Sequence, residues 1–208
     1  MSLPRSQVLF TPEEYLAFER QALERHECLD GYVYAMAGES LEHSTIGSNI
    51  NAILNYQLRG KPCRSLQPNM KVYSRLPTDL DLKGLFSYPD GLVVRGQPTF
   101  HDEHRDVLLN PKVIVEVLSK STERYDRGEK FARYRQNESL TDYLLVSQAS
   151  PSLEHFTKRA HGEWLFTSET NLASSAIIVS IGCELRLAEV YDRVEFSPSE
   201  APDNPIAT

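Results

Sequence analysis

Glu116 is the side chain whose local sequence most strongly indicates a functional site. It interrupts the apolar residues 113–118, which otherwise read as a central strand that is buried on both faces. Burying an unpaired carboxylate costs on the order of several kcal/mol, so Glu116 needs a cation, a proton or hydrogen-bond donors. Taken alone, an ion pair with Arg or Lys would explain it as well as a bound metal.

Asp90 supplies a second carboxylate at a matching place. Tyr88-Pro89-Asp90 stands directly before the apolar residues 91–95, where a proline can begin a strand but not continue it. If the two strands are antiparallel neighbours, Asp90 and Glu116 meet at one edge of the sheet. Two carboxylates held together repel each other unless a cation lies between them, and oxygen ligands favour Mg²⁺ or Mn²⁺. The pair therefore predicts a divalent metal site, although Asp90 alone would be an ordinary turn residue.

The elements that must position these acids alternate between helices and strands. Thr11-Pro12 and a nearby glutamate predict a capping box at the start of one helix, and Ser40 is expected to cap a second. Residues 74–87 are expected to form a polar loop, and Asp126 to cap a third helix. Residues 153–157 and 164–168 predict a β-hairpin. This order favours an α/β (α+β) fold with a central mixed sheet flanked by helices and an added C-terminal β-hairpin.

The bulk composition limits the class of protein. The 208 residues fit one domain, expected at residues 11–195, between a flexible N-terminus (residues 1–10) and a disordered tail (residues 196–208). No apolar stretch predicts a membrane span or a signal peptide, which favours the cytoplasm. The three scattered cysteines predict neither a disulfide framework nor a zinc site. The net charge of −7 argues against an extended nucleic-acid-binding surface, but not against a local basic patch beside a metal.

Several short motifs carry a family resemblance by their order and spacing. They are Glu27-Cys28-Leu29-Asp30-Gly31, Met36-Ala37-Gly38, His43, Tyr88-Pro89-Asp90, Glu116-Val117-Leu118-Ser119, Ser121-Thr122, Asp126, Lys130 and Tyr134. Together they resemble a bacterial restriction-endonuclease-like family of unknown function within the PD-(D/E)XK nuclease superfamily. The resemblance runs from about Thr11 to Tyr191, which is nearly the whole chain.

The resemblance implies a role for each of the central residues. Asp90 would be the aspartate of the signature, Glu116 its second acid, and the main-chain carbonyl of Val117 would complete an Mg²⁺ (or Mn²⁺) site. Leu118 stands where the signature has a lysine, and Lys130 on the following helix is the matching position. Lys130 would stabilise charge on the reacting phosphate or orient water. The alternative is an ion pair with Asp126, worth only ~0.3–0.5 kcal/mol on a helix surface.

His43 and four further residues are expected around this centre. His43 would lie in the first turn of the second helix, where the helix dipole disfavours imidazolium and favours a neutral ring. Such a ring could orient water or contact phosphate, and a core histidine is the alternative. The residues expected to support the site are Glu27, Asp30, Ser119 and Tyr134. For Ser119 capping between strand and helix is the preferred interpretation, and for Tyr134 core packing is an equal alternative.

These observations support one leading hypothesis and two alternatives. The leading hypothesis is a metal-dependent nuclease that hydrolyses phosphodiester bonds in nucleic acid, with DNA as the expected partner. Because cutting both strands of a duplex needs two sites, a homodimer is expected by analogy. The first alternative is a catalytically inactive nuclease fold that binds nucleic acid or a protein, which Leu118 and the acidic net charge favour. The second is hydrolysis of another phosphorylated substrate.

Overall fold

A computed structural model of the protein describes residues 9–75 and 84–196. The predicted flexible N-terminus and the predicted tail lie almost wholly outside these ranges, as do eight residues of the predicted polar loop. The proposed domain bounds, residues 11–195, stay a prediction.

Thirteen strands occur in the described ranges. They are β1 (His26–Leu29), β2 (Tyr32–Ala35), β3 (Cys63–Leu66), β4 (Lys71–Arg75), β5 (Gly84–Ser87), β6 (Gly91–Arg95), β7 (Val107–Leu108), β8 (Pro111–Leu118), β9 (Asp142–Ser147), β10 (Leu153–Lys158), β11 (Trp164–Glu169), β12 (Ser175–Ile178) and β13 (Cys183–Arg186). The α-helices are α1 (Pro12–Glu19), α2 (Leu41–Gln57), α3 (Glu123–Tyr125), α4 (Phe131–Tyr134) and α5 (Leu187–Val190). A π-helical turn, Asp126–Lys130, joins α3 to α4, and a short 3₁₀ turn, Ala160–Gly162, lies between β10 and β11.

Two larger sheets and one hairpin organise these strands. The six-stranded sheet has the order β11-β10-β9-β8-β6-β3, and the five-stranded sheet has the order β2-β1-β5-β4-β7. Each contains one parallel pair, β8 with β9 and β4 with β7, among antiparallel neighbours. The strands β12 and β13 form a separate antiparallel pair. The predicted α/β (α+β) class with mixed sheets and flanking helices is confirmed.

Strand β8 lies in the interior of the six-stranded sheet because it is apolar on both faces. Val113, Val115 and Val117 belong to the core on the α2 side, whereas Ile114 and Leu118 belong to the core on the opposite side. This alternation follows from the period of two in a strand. Glu116 shares its face with Ile114 and Leu118, so its carboxylate enters the second core.

Helix starts follow the local sequence closely. Thr11 caps α1, and the capping box with Glu14 is complete in both directions. Ser40 caps α2 by accepting a hydrogen bond from the main-chain N–H of His43 at 3.1 Å. Ile46, Ile50 and Leu54 of α2 are buried against the six-stranded sheet. Both predicted caps are confirmed.

Two local predictions are wrong. Residues 84–87, expected in a polar loop, form the fully buried strand β5, which pairs with both β1 and β4. Four residues are too few for their sequence pattern to distinguish a strand from a loop. The pairing with β1 and β4, which are distant in sequence, makes them a strand. Asp126 does not cap a helix, because α3 begins three residues earlier and Asp126 lies buried in the π-helical turn.

The C-terminal hairpin is confirmed, with one addition. The strands β10 and β11 pair antiparallel over six residues each, and they extend the central sheet at the edge beyond β9. The β12–β13 hairpin was not anticipated. No helix in the two described ranges has both the length and the apolar character needed to cross a bilayer.

Candidate metal centre

The strand register brings Asp90 next to Glu116. The strands β6 and β8 are antiparallel, with Gly91 opposite Val115, so the following pair in this register is Asp90 and Glu116. The N–H of Val117 donates to Asp90 Oδ2 at 2.7 Å. In an extended strand the N–H and C=O of one residue point to the same side, so the Val117 carbonyl faces the side of Asp90. The antiparallel pairing that the metal-site prediction required is present.

Asp90 is also bound from helix α2. His43 Nε2 lies 3.0 Å from Asp90 Oδ1, and Asn51 donates to the main-chain oxygen of Asp90 at 2.8 Å. Burial lowers the pKa of His43, but the hydrogen bond to Asp90 and the negative charge there outweigh it, and the net pKa is raised. The contact with Asp90 therefore opposes the helix dipole, which was the reason for expecting a neutral ring.

Glu39 joins this group, although it was not predicted from the sequence. Ligand atoms of Glu39, His43 and Asp90 all lie within 4.8 Å of one another. Glu39 directly precedes the helix cap Ser40 and stands four residues before His43. That spacing was the available signal, but an exposed glutamate at a helix start is too common to be singled out.

Glu116 is held on one oxygen by two donors. Tyr134 donates its hydroxyl proton to Glu116 Oε1 at 2.7 Å, and Lys130 Nζ lies 3.2 Å from the same oxygen. Ser87 contacts the Tyr134 hydroxyl at 2.8 Å and must donate there, since the tyrosine proton is already used. The other oxygen, Glu116 Oε2, accepts no hydrogen bond from the described residues.

Lys130 bridges three carboxylates at once. Its ammonium lies 2.9 Å from Glu27 Oε1, 3.2 Å from Glu116 Oε1 and 3.5 Å from Asp126 Oδ1. The ion pair with Asp126, considered as an alternative to a role at the site, therefore exists together with the contact to Glu116. Because Lys130 is buried, this cluster differs from an exposed helix pair.

The cluster has more negative than positive charge. Burial raises the pKa of Glu116 well above its ordinary value; Lys130 opposes this, and the carboxylates of Asp126, Asp90 and Glu27 add to it. Burial lowers the pKa of Lys130, but Glu116 and Glu27 reverse this and raise it well above its ordinary value. Four carboxylates, those of Glu27, Asp90, Glu116 and Asp126, thus lie near only two side chains that can carry positive charge, Lys130 and His43, so a further cation would be favourable here.

A cavity of about 760 Å³ opens onto these groups. The predicted site residues that line it are Glu27, His43, Asp90, Glu116, Val117, Ser119 and Lys130. Tyr134 lies behind it and contacts Glu116. Ser119 faces the cavity, and its hydroxyl also accepts from the N–H of Thr122 at 3.2 Å, so it shapes the turn after β8 as the capping alternative expected.

Asp30 is not brought to this cavity. Its carboxylate receives two hydrogen bonds of 2.7 Å from Arg133 and one of 3.0 Å from the N–H of Gly84. Asp30 therefore fixes the β1–β2 turn to β5 and α4. Asp30 was expected to support the site, but it does not line the cavity. Its two carboxylate oxygens are bound by Arg133 instead.

Comparison with known proteins shows the family to which this chain belongs. The model of the Uma2 family, described as "Putative restriction endonuclease", matches residues 12–188. The chain belongs to this family. A Synechocystis protein described as uncharacterized is 34% identical over 187 residues, which are 89% of this chain and 93% of that protein. A second such protein of the same organism is 30% identical over 159 residues, or 76% and 86% of the two chains.

A solved structure shows the same fold. It is described as a "putative nuclease belonging to DUF820" from Anabaena variabilis, with a TM-score of 0.69 and 12% sequence identity. The match covers 88% of this chain and 97% of that chain. With the Uma2 match, this confirms the predicted restriction-endonuclease-like family and fold.

The residues at the centre fit a divalent cation. Glu116 Oε2, the Asp90 carboxylate and the Val117 carbonyl are hard oxygen donors, and carboxylates outnumber the cationic side chains around them. Mg²⁺ and Mn²⁺ prefer this kind of donor set, whereas zinc favours nitrogen and sulfur ligands.

Proposed function

We propose that this member of the Uma2 family is a metal-dependent nuclease that hydrolyses phosphodiester bonds in nucleic acid, with DNA as the preferred substrate. The observation that carries the proposal is the convergence of Asp90 and Glu116 at adjoining strand ends, beside one buried lysine and an open cavity. The restriction-endonuclease description of the family supports DNA.

Each residue has a distinct part in this proposal. Asp90, Glu116 and the Val117 carbonyl hold Mg²⁺ or Mn²⁺. A divalent cation bound there would polarise a phosphate oxygen and lower the pKa of a water molecule. Lys130, whose ammonium contacts Glu116, stabilises the charge that develops on the phosphate.

Three further residues position these groups. His43 orients the Asp90 carboxylate, and Tyr134 orients that of Glu116. Glu27 holds the Lys130 ammonium in place at 2.9 Å. These contacts fix side chains whose free rotation would otherwise have to be lost during the reaction.

The position of Lys130 answers the objection raised by Leu118. Leu118 is buried in the core of the sheet and offers no charge, whereas Lys130 reaches Glu116 from the helical segment that follows β8. A lysine beside the second acid is thus provided by the fold rather than by the strand. This favours an active enzyme over an inactive binding module.

Cleavage assays with matched variants test the proposal. Purified protein is incubated with plasmid, single-stranded DNA and RNA in Mg²⁺, Mn²⁺ or EDTA. Asp90→Asn and Glu116→Gln should each reduce metal-dependent cleavage by more than about 100-fold. Removing a residue that only supports a metal ligand costs up to about 100-fold, so loss of the ligand itself should cost more. Glu103→Gln, in an exposed loop away from the cavity, should cleave like the wild type.

Each other result has a defined meaning. Cleavage that persists in both acid variants would come from another site or a contaminant and would overturn the proposal. Binding of nucleic acid without cleavage would support the inactive module, and hydrolysis of small phosphodiesters alone would point to another phosphorylated substrate. Light scattering of the same samples tests the proposed homodimer.

A further inference from the structure

A second cavity continues from the metal centre along helix α2. It has a volume of about 570 Å³ and shares Glu39, His43 and Asp90 with the acidic cavity. One wall is the face of α2 from Ser44 to Tyr56 together with Arg59 just beyond the helix end, and the other is residues 65–68, at the end of β3 and the start of the β3–β4 connection. The two cavities therefore adjoin at these residues, and the second forms a groove along α2.

The polar lining of this second cavity is almost entirely uncharged. The side chains that offer donors and acceptors without charge are Ser44, Ser48, Asn51, Asn55, Ser65 and Gln67. Away from the junction with the metal centre, Arg59 is the one charged residue among the described residues that line it. From Ser44 to its end at Gln57 the helix rises about 20 Å. This is the length of about six nucleotides if the strand keeps the 3.4 Å stacked spacing that it has in a duplex, and of fewer if it is extended.

An aromatic platform lies at the far end of the groove. Tyr56 is 70% exposed, and the guanidinium carbon of Arg59 lies 5.4 Å from the centre of its ring. Exposed aromatic rings with a neighbouring arginine stack on nucleobases. A base paired inside a duplex has no free face for such a ring, so this platform selects an unpaired strand.

We propose that the groove along α2 binds a single-stranded nucleic acid segment, which leads from a base stacked on Tyr56 to the phosphate beside Asp90. The inference rests on the proposed function and adds the substrate class: a single strand or an unpaired end. The net charge of −7 agrees with it, because a duplex bound through many phosphates would need a basic surface.

Binding of fluorescent oligonucleotides in EDTA, where metal-dependent hydrolysis is prevented, tests the inference. Affinity should rise with length up to about six nucleotides and then level off. A hairpin duplex of equal length should bind more weakly. Tyr56→Ala should weaken single-strand binding by about 5- to 150-fold, the value of one base–aromatic stack, while Tyr56→Phe retains affinity. Phe166→Ala, which removes an aromatic ring 51% exposed on β11, is the matched control and should bind like the wild type.

Salt dependence gives a second readout. With Arg59 as the cation beside the stacked base, log K against log[salt] should have a slope of about −0.7, the value for one neutralised phosphate of a single strand. Arg59→Gln should bring this slope close to zero. A basic duplex-binding surface would give a far steeper slope.

The outcomes separate this inference from the proposed nuclease activity. Unchanged binding by Tyr56→Ala, tighter binding of the duplex, or no binding of any single strand would overturn the groove assignment. If metal-dependent cleavage still requires Asp90 in that case, the nuclease proposal stands without it. Weaker single-strand binding by Tyr56→Ala together with cleavage independent of Asp90 would support the groove and contradict the nuclease site.

Discussion

Two hydrogen-bonded aspartate–histidine pairs among the described residues differ in what surrounds them. His43 and Asp90 lie 3.0 Å apart at the open end of β6, with 14% and 17% of their side chains exposed. His155 and Asp142 lie 2.8 Å apart between β10 and β9, with 6% and 0% exposed. The same two residue types thus form an accessible pair and a sealed one.

Further hydrogen-bond donors surround the sealed pair. Asp142 also accepts hydrogen bonds from the hydroxyls of Thr141 and Ser180, and the His155 ring contacts Thr157 at 3.1 Å. Burial raises the pKa of Asp142, but these donors outweigh it, and the net pKa is lowered. Asp142 and His155 are thus enclosed by hydrogen-bond donors, whereas Asp90 and His43 line a cavity at the end of a strand.

The largest expected effect is the loss of the sealed aspartate. Asp142→Ala leaves buried donors without an acceptor and should lower the free energy of unfolding by about 3–5 kcal/mol. Asp90→Ala, beside water, should lower it by only about 0.5–1.5 kcal/mol, the net value of a hydrogen bond. Urea denaturation at pH 7 measures both. Equal losses would show that the two pairs have the same structural role.

The pH dependence of this difference provides its control. The folded pKa of Asp142 is lower than its unfolded value of about 3.9, so its stabilisation is present at neutral pH. That contribution is lost as the pH falls through the folded pKa. The stability difference between wild type and Asp142→Ala should therefore narrow below about pH 4.

A metal-dependent gain in stability should distinguish the pairs next. Mn²⁺ at 100 times its dissociation constant should stabilise the wild type by about 2.7 kcal/mol. Asp90→Ala and Glu116→Ala should lose this gain, because their oxygens would hold the ion. Asp142→Ala should keep it, although its absolute stability is lower. Denaturation curves with Mn²⁺ and with EDTA give the measurement, and a gain lost in all three variants would contradict the assignment of the site.

The smallest expected effect concerns a hydroxyl beside the open pair. Tyr125 lines the acidic cavity, and its hydroxyl is buried without a hydrogen-bond partner among the described residues. Tyr125→Phe should therefore be neutral or stabilise the fold by up to about 1 kcal/mol. Tyr134→Phe removes a hydroxyl that binds Glu116 and should destabilise by about 1–3 kcal/mol. Thermal unfolding compares the two, and destabilisation by Tyr125→Phe would reveal a partner for its hydroxyl.

Local sequence determined the elements that carry the site. The caps at Thr11 and Ser40, the doubly buried strand around Glu116 and the strand start at Asp90 were all readable, because each depends on neighbours a few residues away. The same logic correctly placed the C-terminal hairpin. It also led to Asp90 and Glu116, and the family resemblance led to Lys130; all three line one cavity.

Only the tertiary structure decided which partners each charge has. Asp30 binds Arg133 across 103 residues, Lys130 contacts Glu27 from a π-helical turn, and β5 exists because β1 and β4 pair with it. The sequence did not reveal that Asp90 and Asp142 would have such different surroundings. The physical reason is that hydrogen bonding and access to water are set by chain segments far apart in sequence, whereas caps and strand periodicity are set within a few residues.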